Sequence, residues 1–339
     1  MLTLRRRRKN ETKIPSTHRQ MAHTILVTGS NGQLGTEIRN IASGHDLVPG
    51  GADVPSPSRI SDSRGNTYIF TARHQLPYAL TEHLDITDMD AVAETVAENG
   101  VDIILNCAAY TDVDKAEGNP EDADLQNHIA PGNLAEVARE MNATLIHIST
   151  DYVFGGDSGK PYGEFDETRP LGIYGLSKLA GERAISDSEC NYIILRTSWL
   201  YSPYGRNFVK TMLRLTREKE SIDVVMDQSG SPTYAKDLAE AIAGIIDSGP
   251  SEIQGLFHFS DCGVCSRYDL AYETLLLGGG QCRIRPCRSE EFPTKAVRPH
   301  FSALDTSLFR KTFGMEIPHW RESLKDCIDR IHKIGGDLR

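Results

Sequence analysis

Between residues 24 and 41 the chain passes from a short apolar stretch through three glycines into a helical pattern. The order is Thr-Ile-Leu-Val-Thr28, then Gly29-Ser-Asn-Gly32-Gln33-Leu34-Gly35, then an amphipathic run to Ile41. A brief apolar run followed by 3.6-residue spacing reads as strand, turn and helix. A glycine-rich turn at that junction brings backbone N–H groups and the positive end of a helix to one place, which suits a phosphate. In this Gly-x-x-Gly-x-x-Gly spacing, Gly29 allows the tight turn and Gly32 the close approach to a pyrophosphate. Gly35 allows close helix packing. Such a turn can also be purely structural. The strands and helices that alternate behind it tip the reading towards dinucleotide binding.

That alternation spans the first 200 residues. Residues 43–66, rich in Gly, Pro, Ser and Asp, read as an irregular insertion. A strand is expected at 67–71, a helix at 88–99, and at 101–108 a strand buried on both faces. A helix at 123–141, a strand at 144–149, a helix at 168–186 and a buried strand at 192–197 follow. This order implies the α/β class, with a doubly wound, Rossmann-like parallel sheet. Beyond residue 199 the pattern loosens into helices near 207–219, 235–247 and 266–277, a strand at 255–260 and an amphipathic helix at 319–334. We expect residues 1–21 to be a disordered extension and 22–198 the dinucleotide-binding domain. Residues 199–335 are expected to form mainly a smaller C-terminal α/β substrate lobe, with interleaving of the two left open.

Composition bounds the partners. The net charge is −10, yet the first twenty residues hold seven Lys/Arg and one acid, leaving −16 on the rest. An acidic body argues against nucleic acid. The run Arg5–Arg8 reads as part of a disordered extension or an upstream start, and Met21, just before the first strand, is a candidate true start. No apolar run is long enough for a signal peptide or a membrane span, so a cytoplasmic chain with no membrane partner is expected. The odd count of seven cysteines points to reduced thiols. Cys262-x-x-Cys265 with Cys282-x4-Cys287 has the outline of a four-thiolate zinc site, but the spacings match poorly and Cys282 and Cys287 flank an edge-strand pattern. No metal ligands are assigned.

Tyr174-Gly-Leu-Ser-Lys178, 24 residues after Thr150, carries the candidate chemistry. On a helix the phenol and the ammonium occupy neighbouring positions, i and i+4. A tyrosine titrates near pH 10, so bringing it about three units lower needs roughly 4 kcal/mol of preferential phenolate stabilisation. A fixed cation and a hydrogen-bonding hydroxyl can supply that. Alone, the pentapeptide would be an ordinary solvated helix face. For the cofactor, Asp85 is placed to accept from an adenine amino group with Ile86 against the ring. Ala109, Tyr110 and Thr111 follow a buried strand where backbone can approach ribose and nicotinamide. The acid that marks NAD at the end of the second strand is missing: Ala72-Arg73 stand there, and Arg73 can pair with a 2′-phosphate. The reading leans to NADPH over NADH.

Further runs extend these motifs: Asn106-Cys-Ala-Ala-Tyr-Thr-Asp-Val-Asp-Lys-Ala-Glu117, Ser149-Thr-Asp-Tyr-Val-Phe-Gly-Gly156, Arg196-Thr-Ser-Trp-Leu-Tyr201, Asp227-Gln-Ser-Gly-Ser-Pro-Thr-Tyr234 and Ala296-Val-Arg-Pro-His-Phe-Ser302. With them the chain resembles the extended short-chain dehydrogenases/reductases, and among these the reductases of 4-keto nucleotide sugars. The resemblance implies NAD(P)H-dependent reduction of the C4 keto group of dTDP-4-dehydro-L-rhamnose to dTDP-L-rhamnose. It implies Tyr174 as proton donor and Lys178 as the residue that holds the cofactor ribose and lowers the tyrosine pKa. Thr150 would polarise the keto oxygen, and Asp151 and Trp199 would contact the sugar. Gly29, Gly32, Gln33, Leu34, Gly35, Asp85, Ile86, Ala109, Tyr110 and Thr111, with Tyr174 and Lys178, would hold the cofactor. It leaves room for magnesium and a homodimer, for which no local motif is present. Two departures concern the cofactor: the long segment 43–66 and the absent acid at Ala72. A 4,6-dehydratase would carry an acid where Tyr152 stands. A C4 epimerase shares the Tyr/Lys pair. A non-catalytic regulatory subunit, like the related partner of methionine adenosyltransferase, would not need Thr150, Tyr174 and Lys178 together.

Overall fold

A computed structural model describes residues 22–49 and 55–335; Arg5–Arg8 and Met21 lie outside them. The elements to residue 197 are β1 (Thr24–Thr28), α1 (Gln33–Ser43), β2 (Arg59–Ser61), β3 (Thr67–Ala72), β4 (Glu82–His83) and α2 (Met89–Asn99). They continue with β5 (Ile103–Asn106), α3 (Val113–Ala116), α4 (Pro120–Asp124), α5 (Ala130–Glu140), β6 (Thr144–Thr150), α6 (Ile173–Asp187) and β7 (Asn191–Thr197). Later elements are given by residues.

Successive side chains of β1 point to opposite faces, and both faces are covered. Ile25 and Val27 pack with Ile38 of α1 and Ile242 of helix Ala235–Asp247. Leu26 packs with Leu134 and Val137 of α5 and Val92 of α2. Burial on both sides explains why the central strands read as continuous apolar runs. The sheet order is Gly255–His258, β7, β6, β5, β1, β3, β2, with β4 beside β3. β1 pairs in parallel with β3 on one side and β5 on the other. The strand order therefore reverses at β1, where doubly wound sheets open a crevice beyond their carboxyl ends.

The remainder packs against that crevice. Helices Phe208–Glu218, Arg267–Gly278 and Trp320–Lys333 enclose two apolar clusters, one around Trp320 and Leu324, the other around Met212 and Ile222. Strand Ser221–Val225 pairs in parallel with Arg283–Cys287. Residues beyond 199 also enter the large sheet, since Gly255–His258 adds to β7. Arg330, 6% exposed, reaches back to Glu37 of α1 at 2.9 Å and also pairs with Asp46.

Three expectations are corrected. The segment 43–66 is not wholly irregular, because β2 pairs antiparallel with β3. The helix expected from residue 168 starts at Ile173; Pro170 disfavours helical geometry at Arg169, whose N–H bonds instead to the Val153 carbonyl. The helix expected over 123–141 is interrupted by a π turn at Leu125–Ile129. The cysteines are free thiols. Cys265 packs near Trp320 and Cys282 near Met212, in separate clusters. Among the described residues no group of three or more His, Cys, Asp or Glu is placed to hold a metal ion, and no helix is long and apolar enough to cross a membrane.

Candidate active site

The carboxyl ends of β1, β5, β6 and β7 open into a cavity of ≈ 1090 Å³. One end of it is built by the glycine turn. Gly29 has φ +60°, and a Cβ there would lie 2.5 Å from the Ala108 nitrogen, so only glycine lets β1 turn this close to the end of β5. Gly32 caps α1 with no side-chain hydrogen bond, and Gly32 and Gln33 line the cavity. The orphan N–H groups of the first turn are therefore available to an anion. The turn, the uncapped helix end and the cavity volume together suit a dinucleotide.

The other end is built by β6 and α6. Thr150 closes β6; its hydroxyl donates to Asp151 Oδ1 at 3.1 Å and accepts the Tyr152 N–H at 3.2 Å. Tyr174 stands in the first turn of α6 and Lys178 one turn later, both in the cavity wall. The helix is anchored tightly. Glu117 accepts the Ile173 N–H at 2.9 Å and so supplies the cap that Gly172 lacks. A Cβ on Gly175 would come within 2.2 Å of the Tyr152 carbonyl oxygen, so glycine here lets α6 lie against the turn after β6. The Tyr152 and Tyr174 rings meet edge to face, centroids 5.7 Å apart.

The electrostatics follow from burial. Burial pushes the Tyr174 phenol above its ordinary range, while the Thr150 hydroxyl acts the other way. Burial lowers Lys178 to about 8, opposed by Glu182. Asp151 rises to about 6, also through burial, and its Oδ2 has no hydrogen-bond partner. The Lys178 amine is not turned onto the phenol: it bonds His147 Nε2 at 3.1 Å and the Ile148 carbonyl at 2.6 Å. Trp199 lines the same cavity with φ +49°, a left-handed conformation uncommon for a bulky residue. The Arg267 guanidinium lies 3.6 Å over its ring.

Comparison with known proteins agrees with this geometry. The family described as RmlD substrate binding domain matches residues 23–333. A dTDP-4-dehydrorhamnose reductase of Mycolicibacterium smegmatis is 40% identical over 314 residues, 92% of this chain and 86% of that one. The chain belongs to the dTDP-4-dehydrorhamnose reductase family. Two solved structures of that family show the same fold. The Clostridium acetobutylicum protein has TM-score 0.77 and 37% identity, covering 91% of this chain and 99% of its own. The Bacillus anthracis protein, in complex with NADP, has TM-score 0.76 and 34% identity, covering 91% and 100%.

Within this dTDP-4-dehydrorhamnose reductase fold, nearly all the residues singled out from sequence line one cavity. Gly29, Gly32, Gln33, Leu34, Gly35, Asp85, Ile86, Ala109, Thr111, Thr150, Asp151, Tyr174, Lys178 and Trp199 line the cavity. Tyr110 does not: its backbone N–H and carbonyl are bound by the Asn127 side chain, at 2.9 and 3.0 Å. Arg73 lies at the cavity edge, 4.0 Å from Asp85 and hydrogen-bonded to Gln126. Several contributors went unassigned in the sequence reading. Glu117 and Arg298 stood in the recognised runs without a role. Arg298, also in the wall, pairs with Asp114 of α3 at 2.6 Å. Asn127 gave no signal because it lies in the π turn, Arg267 because only the fold brings it to the cavity, and His147 because only the fold sets it beside Lys178.

Proposed function

We propose that this chain reduces the C4 keto group of dTDP-4-dehydro-L-rhamnose, giving dTDP-L-rhamnose, with a nicotinamide cofactor held between the glycine turn and α6. The observation that carries the reading is the convergence of Thr150, Tyr174 and Lys178 on the same cavity as the Gly29 turn. A reduced nicotinamide, when bound, supplies the hydride. The chain's residues handle the charge that develops on the keto oxygen. Tyr174 donates a proton to that oxygen, and the Thr150 hydroxyl stabilises it by hydrogen bonding. Burial disfavours the phenolate left behind, so a cation is needed nearby. Lys178, one helical turn along the same wall, supplies it when its ammonium turns towards Tyr174.

Asp85 and Ile86 would take the adenine end, and Ala109 and Thr111 the ribose and nicotinamide. Arg73 at the cavity edge supports a 2′-phosphate and thus NADPH, although Asp85 nearby also engages it. Asp151, with a free buried oxygen, and Trp199 face the sugar side. The test is NADPH or NADH oxidation followed by absorbance with dTDP-4-dehydrorhamnose made in situ. Oxidation with dTDP-L-rhamnose as product supports the reading, and faster turnover with NADPH supports the role of Arg73. Absence of oxidation with either cofactor would sink it.

A further inference from the structure

Lys178 is held by a row of residues that the sheet register sets side by side. Thr28 stands opposite Asn106 in β1 and β5, and Asn106 opposite His147 in β5 and β6. All three are buried, with Thr28 and Asn106 at 1% exposure and His147 at 0%. They form one hydrogen-bonded line across three strands, ending at the Lys178 nitrogen.

The direction of each hydrogen bond in this line is determined. The Ala108 backbone N–H, which can only donate, bonds Asn106 Oδ1 at 3.1 Å, and the Thr28 hydroxyl donates to the same oxygen at 2.7 Å. The Asn106 amide therefore cannot be reversed, and its Nδ2 donates to His147 Nδ1, 3.0 Å away. Nδ1 must be the bare nitrogen. A neutral imidazole has one N–H, so here it is on Nε2, facing Lys178 at 3.1 Å. An ammonium has no lone pair to accept it. A neutral amine has one, and its own N–H satisfies the Ile148 carbonyl at 2.6 Å.

We propose that His147, fixed by Asn106 as the Nε2–H tautomer, is a positioning residue that holds Lys178 as a neutral amine, so that Lys178 takes up a proton as it turns to a bound nicotinamide ribose. The second half of this statement rests on the cofactor reading above; the first does not. The surroundings agree. Burial lowers Lys178 to about 8, and burial keeps His147 far below its ordinary range, hence neutral. The His147 donor acts on Lys178 in the same direction. Other titratable groups come from every element around it. Cys107, after β5, is a neutral thiol pushed up to about 12 by burial. Asp151 follows β6, and Tyr174 and Glu182 lie on α6 itself. Glu182 is engaged by Arg196 of β7 at 2.6 Å.

Two measurements test this. Nitrogen-15 spectra of histidine-labelled protein report which ring nitrogen of His147 carries the proton, assigned by loss of its signals in His147→Gln. Calorimetry of NADPH binding at pH 8 and 9, in buffers of different ionisation enthalpy, counts protons taken up; the cofactor's own phosphates titrate below this range. The wild-type protein should show the Nε2–H tautomer and take up at least about half a proton per site at pH 8, approaching one at pH 9. In Asn106→Asp, an isosteric carboxylate accepts from Nδ1–H, freeing Nε2 to accept from an ammonium. That variant should show the opposite tautomer and nearly no uptake. An Nδ1–H tautomer in the wild type, or equal uptake in both proteins, would overturn the proposal. If Asn106→Asp fails to fold, the wild-type tautomer still decides. If NADPH fails to bind, the cofactor reading falls while the tautomer stands as measured.

Discussion

At Tyr174, burial and function pull in opposite directions: the environment that excludes water from the reacting oxygen also raises the phenol. In the proposed mechanism the site resolves this with one hydroxyl, Thr150, and with Lys178, which carries a proton once it turns to the phenol. Tyr174→Phe removes only the proton donor. It is expected to lower kcat by about 10²–10⁴-fold with NADPH affinity little changed, checked by steady-state kinetics beside cofactor titration. The three side chains proposed to react were legible in sequence because two sit at i and i+4 of one helix. His147 was not legible. Its neighbours in sequence, Ile146 and Ile148, are ordinary strand residues, and only the register of β5 and β6 sets it beside Asn106. Tyr110 shows the converse: it stands in the right loop, but its backbone is bonded to Asn127 and it does not line the cavity.

Helix α6 acts as a rigid mount whose fit depends on atoms it lacks. Gly175 lies between Tyr174 and Lys178 in sequence but against Tyr152 in space, where an added Cβ would come within 2.2 Å of a carbonyl oxygen. Gly175→Ala is therefore expected to destabilise the fold by about 1–3 kcal/mol through overpacking. It should also lower kcat, because the helix must move away from the turn that carries Thr150 and Asp151. Urea unfolding midpoints and turnover of the same preparation check both. Long elements were readable from sequence, as in β6, β7 and the helix Trp320–Lys333. The short strand β2, Arg-Ile-Ser at a sheet edge, has too few residues to show alternation. The π turn at Leu125–Ile129 was hidden because one extra residue per turn barely disturbs helical spacing.

Over the whole molecule, a few buried polar links tie distant parts of the chain together. Arg330 joins the last helix to α1 through Glu37, which is 1% exposed. Arg330→Gln leaves that carboxylate buried without its cation and is expected to cost about 3–5 kcal/mol, seen as a lower urea midpoint at unchanged m-value. The α/β class and its doubly wound parallel sheet were legible because alternating strands and helices admit few topologies. The return of Gly255–His258 to the sheet was not, since pairing partners far apart in sequence leave no local mark. That return has a consequence during synthesis. When β7 leaves the ribosome, its outer edge, along Ile193–Arg196, has no partner until another sixty or so residues have been made. A bare apolar strand edge invites pairing with other chains. The nascent protein thus stays exposed to aggregation until its own later segment arrives, and a chaperone that shields this edge would govern how much of the protein a cell recovers.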